Sequence, residues 1–85
     1  MQMLVKDIVK ACNGVLLCGD PETVITSVET DSRLIEPGAL FVPIIGQKTD
    51  AHQYIQQTFD KGAVAALTQE HTSMEDSAHC WIYVE

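Results

Sequence analysis

Apolar residues return along this chain at two different periods, and the switches between those periods mark out its elements. Leu4, Ile8 and then Ala11 with Cys12 recur at helical spacing, which predicts an amphipathic helix over residues 3–12. Asn13-Gly14 follows, with glycine suited to the left-handed position that ends a helix. Val15 to Cys18 is a short apolar run and reads as a strand, and Gly19-Asp20-Pro21 is a turn. Val24 to Val28 is β-branched and predicts a second strand. Thr30-Asp31-Ser32-Arg33 is polar and leaves the sheet. Pro37-Gly38 suits a type II turn, with proline setting the first central φ and glycine taking the positive one. Leu40 to Ile45 is continuously apolar, as in a strand buried on both faces. Pro43 inside it removes a ladder donor and predicts an edge position or a bulge there.

Gly46 to Asp50 is the next loop, and Asp50 with Gln53 reads as a capping box for a helix over 51–61. The apolar face of that helix is Tyr54, Ile55, Thr58 and Phe59, and Gly62 closes it. Val64 to Thr68 is another strand, Glu70 to Ala78 a polar loop, and Trp81 to Val84 a last apolar strand. Residues 40–68 thus form a strand–helix–strand succession, which predicts parallel strands with a right-handed crossover. The fold class is α/β: a small mixed or parallel sheet of about five strands with two or more helices. Trp81 and Phe41 are expected in its core.

Composition narrows the setting. The chain has 85 residues, enough for one small domain, and its 46% hydrophobic content fits a globular protein with a core of its own. No apolar run reaches the roughly 18 residues of a membrane span. The start, Met1 to Asp7, lacks the basic-then-apolar pattern of a secretory leader, so a cytoplasmic location is expected. Five basic against twelve acidic residues give a net charge of −7, which argues against nucleic acid and anionic membrane as partners. Cys12, Cys18 and Cys80, with His52, His71 and His79, show no metal-ligand or disulfide spacing. They read as buried or half-buried thiols in a reducing compartment and ordinary histidines. Neither a metal site nor a catalytic residue is expected in this chain.

In open α/β sheets, ligands bind beyond the carboxyl ends of the parallel strands. Two segments qualify here. Gly46 to Asp50 runs into a helix N-terminus, whose free N–H groups suit an anion, and it carries Lys48. Thr30 to Arg33 brings two hydroxyls, a carboxylate and the chain's single arginine. Lys6, Lys10 and Lys61 are placed on helices instead. Each segment also has a plainer reading. Thr30 to Arg33 fits equally an Asx or ST turn with Arg33 paired to Asp31 on the surface. Gly46 to Asp50 by itself reads more simply as a helix-entry loop. No G-x-x-x-x-G-K-[ST] loop, G-x-S-x-G elbow or carboxylate cluster occurs, so the sequence describes a binder without a reaction centre.

The ordered series Thr30-Asp31-Ser32-Arg33, Pro37-Gly38-x-Leu40-Phe41-Val42-Pro43, Gly46-x-x-x-Asp50-x-His52 and Gly62-Ala63-x-Ala65 resembles the N-terminal domain of the Mur ligases. The likeness runs over nearly all of the chain. The family pattern has Asp-Gly-His where this chain has Asp50-Ala51-His52. The Gly14 to Asp20 stretch resembles one branch of the family most, with a second branch and a stand-alone interaction module as alternatives.

The resemblance implies a cytoplasmic ligase of peptidoglycan synthesis that acts on a UDP-N-acetylmuramoyl peptide. It implies further domains of the same protein, with ATP and magnesium bound there and not in these 85 residues. It places Thr30 and Ser32 at the nucleotide end of the substrate, and Gln47, Lys48 and Thr49 on a loop at the UDP. With Arg33 and Asp50 these make the expected binding set. A monomer is expected, and the apolar last strand suggests a boundary between domains.

Overall fold

A computed structural model describes residues 2–43, 54–69, 73 and 75–85. Its elements in chain order are β1 (Met3–Leu4), α1 (Val5–Ala11), β2 (Val15–Cys18), β3 (Val24–Ile25), β4 (Ser27–Glu29), a 3-10 turn η1 (Ser32–Leu34), β5 (Ala39–Phe41), α2 (Ile55–Asp60), β6 (Ala65–Thr68) and β7 (Cys80–Tyr83). Five strands form one mixed sheet in the order β2-β7-β6-β5-β4, and β1 pairs with β3 as a separate ribbon. The β4, β5, β6 and β7 strands run parallel, while β2 closes the edge antiparallel to β7.

The two helices bury different faces of this sheet. Val5, Ile8 and Val9 of α1 pack with Ile25, Leu40, Ala65, Cys80 and Ile82. Ile55 and Phe59 of α2 pack with Phe41, Ala63, Ala66 and Trp81. Successive strand residues point to opposite faces, so Leu40 enters the first cluster and Phe41 the second. That is why the β5 sequence is apolar without alternation: Ala39, Leu40 and Phe41 are all buried. Phe41 and Trp81 lie in the core as expected.

The sequence reading needs correction at five places. The first helix starts at Val5, because Met3 and Leu4 pair with Ile25 and Val24. The Asp7 carboxylate accepts the Leu4 N–H at 3.3 Å, which supports that entry. At the other end of α1 the left-handed residue is Asn13, with φ +55°, and not Gly14. Gly14 serves a close approach: a Cβ there would sit 2.9 Å from the Ile82 side chain and from the Tyr83 carbonyl.

The single strand expected over 24–28 is two. The Thr26 N–H donates to the Gly38 carbonyl at 3.0 Å, and there the chain leaves β1 and begins to pair with β5. The strand β5 is interior, between β4 and β6, and ends at Phe41 before Pro43 can interrupt its ladder. Among the cysteines, Cys80 is buried and Cys18 half-buried as expected, but Cys12 is exposed. The expected capping box at Asp50 and Gln53 lies outside the described residues.

The end of α2 follows a Schellman pattern. Gly62 takes φ +109°, its N–H donates to the Phe59 carbonyl at 3.0 Å, and the Ala63 N–H donates to the Thr58 carbonyl at 2.9 Å. The Phe59 ring stacks on His79 with centroids 4.0 Å apart and meets Trp81 edge-on at 5.5 Å. Phe59→Ala should therefore cost about 3–5 kcal/mol in denaturant unfolding. A loss under about 1 kcal/mol would mean that this helix face is not core.

Candidate functional site

The parallel strand β4 ends at Glu29, and the chain turns off the sheet through Thr30 to Arg33. Glu29 shapes that exit, its Oε1 accepting the N–H groups of Thr30 at 2.9 Å and Asp31 at 3.1 Å. The Asp31 carboxylate then caps η1 by accepting the Arg33 N–H at 2.9 Å. It also holds the Arg33 guanidinium in a fork: Nε donates to Oδ1 at 3.0 Å and Nη2 to Oδ2 at 2.8 Å. The Arg33 guanidinium thus lowers the Asp31 carboxyl from 3.8 to about 2, chiefly by these side-chain hydrogen bonds.

A cleft of about 660 Å³ opens between this segment and α2. One wall is Thr30, Asp31, Ser32 and Arg33; the other is Tyr54, Gln57 and Lys61; Phe41 lies at the base. The size falls within the ~300–1,000 Å³ of small-molecule sites. Tyr54, Gln57 and Lys61 stand three and four residues apart and so share one stripe of α2 and its ends, beside the buried stripe of Ile55, Thr58 and Phe59. The Lys61 Nζ donates to the Ser32 carbonyl at 2.9 Å across the cleft end. Among the described residues, the hydroxyls of Thr30 and Ser32 have no hydrogen-bond partner and remain available to a ligand.

Of the expected binding residues, Thr30, Ser32 and Arg33 line this cleft together. Gln47, Lys48, Thr49 and Asp50, and with them the Gly46 to Asp50 loop, lie outside the described residues. Arg33 takes the plainer arrangement that its sequence allowed, an exposed pair with Asp31. Sequence reasoning missed Lys61, Tyr54, Gln57 and Phe41. The signal was present in the spacing of residues 54, 57 and 61, which adjoins the apolar stripe and faces the same segment.

A second polar cluster lies apart from the cleft. The Asp76 carboxylate accepts the Trp81 Nε1–H at 3.2 Å and the Ala78 N–H at 2.9 Å, and contacts His79 Nδ1 at 3.0 Å. Burial works to raise the Asp76 carboxyl, but these hydrogen bonds outweigh it and hold the group below the ordinary carboxylate value. With His79 stacked on Phe59, this cluster fastens the start of β7 to α2. Among the described residues no three His, Cys, Asp or Glu side chains converge as a metal site would require. No helix among them is long and apolar enough to cross a membrane.

Comparison with known proteins gives consistent relatives. The sequence profile described as "Mur ligase family, catalytic domain" matches residues 24–84. The UDP-N-acetylmuramoyl-L-alanyl-D-glutamate–2,6-diaminopimelate ligase of Bacteroides thetaiotaomicron is 43% identical over 68 residues, covering 80% of this chain and 14% of that protein. The UDP-N-acetylmuramoyl-tripeptide–D-alanyl-D-alanine ligase of Bacillus subtilis is 34% identical over 82 residues, covering 95% of this chain and 18% of that protein. Among solved structures, the UDP-N-acetylmuramoylalanyl-D-glutamyl-2,6-diaminopimelate–D-alanyl-D-alanyl ligase of Acinetobacter baumannii superposes with a TM-score of 0.82 at 25% identity. That match covers 99% of this chain and 18% of the solved one. The chain therefore spans less than a fifth of the length of these relatives.

The Asp31–Arg33 fork has a pH signature. A depressed folded pKa means that the fork contributes above the ordinary value of 3.8 and is lost as pH falls through about 2. The carboxyl carbon of Asp31, followed by NMR, should titrate with a midpoint near 2 and move up toward 3.8 in Arg33→Ala. A midpoint unchanged by that substitution would show that the fork does not form in solution.

Proposed function

We propose that this chain, which belongs to the Mur ligase family, holds the UDP end of a UDP-N-acetylmuramoyl peptide for an ATP-dependent, amide-forming ligase of peptidoglycan synthesis. The observation that carries the reading is the cleft itself. It sets the open hydroxyls of Thr30 and Ser32 opposite Tyr54, Gln57 and Lys61. Hydroxyl and amide groups suit the polar edges of a nucleotide, and an aromatic side chain offers a face for its base. The relatives' names support the same part of the substrate. Both kinds of ligase act on a UDP-N-acetylmuramoyl compound, and they differ in its peptide and in the group that is joined to it. The reading of the cleft is thus independent of which ligase the whole protein is.

For the whole protein, the D-alanyl-D-alanine ligase is the first reading. It is supported by the Gly14 to Asp20 stretch, by the solved Acinetobacter structure that covers 99% of this chain, and by the Bacillus relative that covers 95%. The 43% identity with the Bacteroides protein favours a second reading, the 2,6-diaminopimelate ligase. In either case ATP and magnesium bind outside these residues. The sequence has no G-x-x-x-x-G-K-[ST] loop to cradle phosphates.

Two calorimetric titrations of this chain test the proposal. UDP should bind, and Ser32→Ala should weaken it by about 0.5–1.5 kcal/mol through loss of one hydroxyl partner. Equal affinity for the parent and the variant would count against the cleft. Magnesium-ATP should show no binding in the micromolar range, and tight binding would contradict the division of labour proposed here.

A further inference from the structure

Resting on that reading, we propose that Lys61, and not Arg33, is the cation that engages the negative charge of the ligand in this cleft. Three charged residues line it among those described: Asp31, Arg33 and Lys61. Asp31 and Arg33 cancel each other. Nε and Nη2 of the guanidinium are committed to the two carboxylate oxygens, at 3.0 and 2.8 Å.

Lys61 is exposed like Arg33, and what sets it apart is its bonding partner. Its ammonium donates to a neutral partner, the Ser32 carbonyl, at 2.9 Å. That bond holds the group in place without pairing it to a carboxylate among the described residues, and Asp31 feels its charge only through space. An ammonium has three N–H donors, so two remain for a ligand. Asp31, on the facing wall, has both oxygens bonded to Arg33. The three charges sum to +1, in a chain whose net charge is −7. Long-range repulsion therefore opposes an anionic ligand, and a local, fixed ammonium is what admits it. The contact to Ser32 also places this charge beside the hydroxyl wall, so one ligand can reach both.

The test uses ligands that differ in charge. Uridine, UDP and inorganic pyrophosphate are titrated separately into the parent chain, Lys61→Gln and Lys61→Arg, with affinities read from NMR amide shifts. Gln keeps a donor but not the charge; Arg keeps both. In the parent, UDP should bind more tightly than uridine, and pyrophosphate should shift the amides near Ser32 and Lys61. Lys61→Gln should lose about tenfold for UDP, as for a charged hydrogen bond, and less than about twofold for uridine. Lys61→Arg should recover most of the loss. Equal losses for UDP and uridine would reduce Lys61 to a brace across the cleft and overturn the inference. Unchanged affinities in Lys61→Gln would overturn it too. If the parent bound neither UDP nor uridine, the reading of the cleft itself would fail, and this inference with it.

Discussion

The Gly38 N–H donates to the Gly62 carbonyl at 2.9 Å, and through that contact the start of β5 is tied to the end of α2. Both residues have positive φ, +89° and +109°, in which an L side chain would be strained. Space is as restrictive as conformation. A Cβ on Gly38 would run into the Thr26 hydroxyl, and one on Gly62 would sit 2.9 Å from the Pro37 Cα. The Glu36–Ala39 turn and the helix end are therefore pressed together backbone to backbone. Everything on the α2 face inherits its placement from this junction. Lys61 precedes Gly62, so the ammonium that reaches Ser32 is aimed by it. The Val64 N–H, two residues after Gly62, donates to the Ala39 carbonyl at 2.9 Å and starts the β5–β6 ladder.

From that junction the cleft follows as a consequence of packing. Phe41 and Phe59 bury the same face of the sheet and bring α2 down upon it. The chain that leaves β4 must return to the start of β5 on that face, because Ile35 packs against the same cluster. The returning segment and the helix therefore run side by side with a gap between them, and the gap is the cleft. Above the Phe41 base its walls carry mostly polar groups, because the apolar stripe of α2 is already turned to Phe41, Ala66 and Trp81.

The order of elements was legible in the sequence, since the change from helical to strand periodicity is a local signal. The turn at Pro37-Gly38 was legible for the same reason, and the Ala39 N–H closes it on the Glu36 carbonyl at 3.1 Å. What escaped was set by contacts distant in sequence. Residues 24–28 look like one β-branched run, but Thr26 is claimed by Gly38 and divides it. Gly14 looks like the left-handed cap, but Asn13 tolerates that conformation and Gly14 is needed against Ile82. Half of the candidate site was visible as Thr30 to Arg33. The other half is a helix stripe whose partner, the Ser32 carbonyl, lies 29 residues away from Lys61.

The central claim is that a UDP-bearing ligand lies between Thr30 to Arg33 and the Tyr54 to Lys61 stripe. Intermolecular NOEs between this chain and UDP-N-acetylmuramic acid measure that placement directly. The account predicts contacts from the uracil and ribose protons to the Tyr54 ring and to the Thr30 and Ser32 side chains. Contacts confined to the small apolar groove of Val42, Pro43, Leu67 and Val84, at the carboxyl ends of β5 and β6, would contradict it.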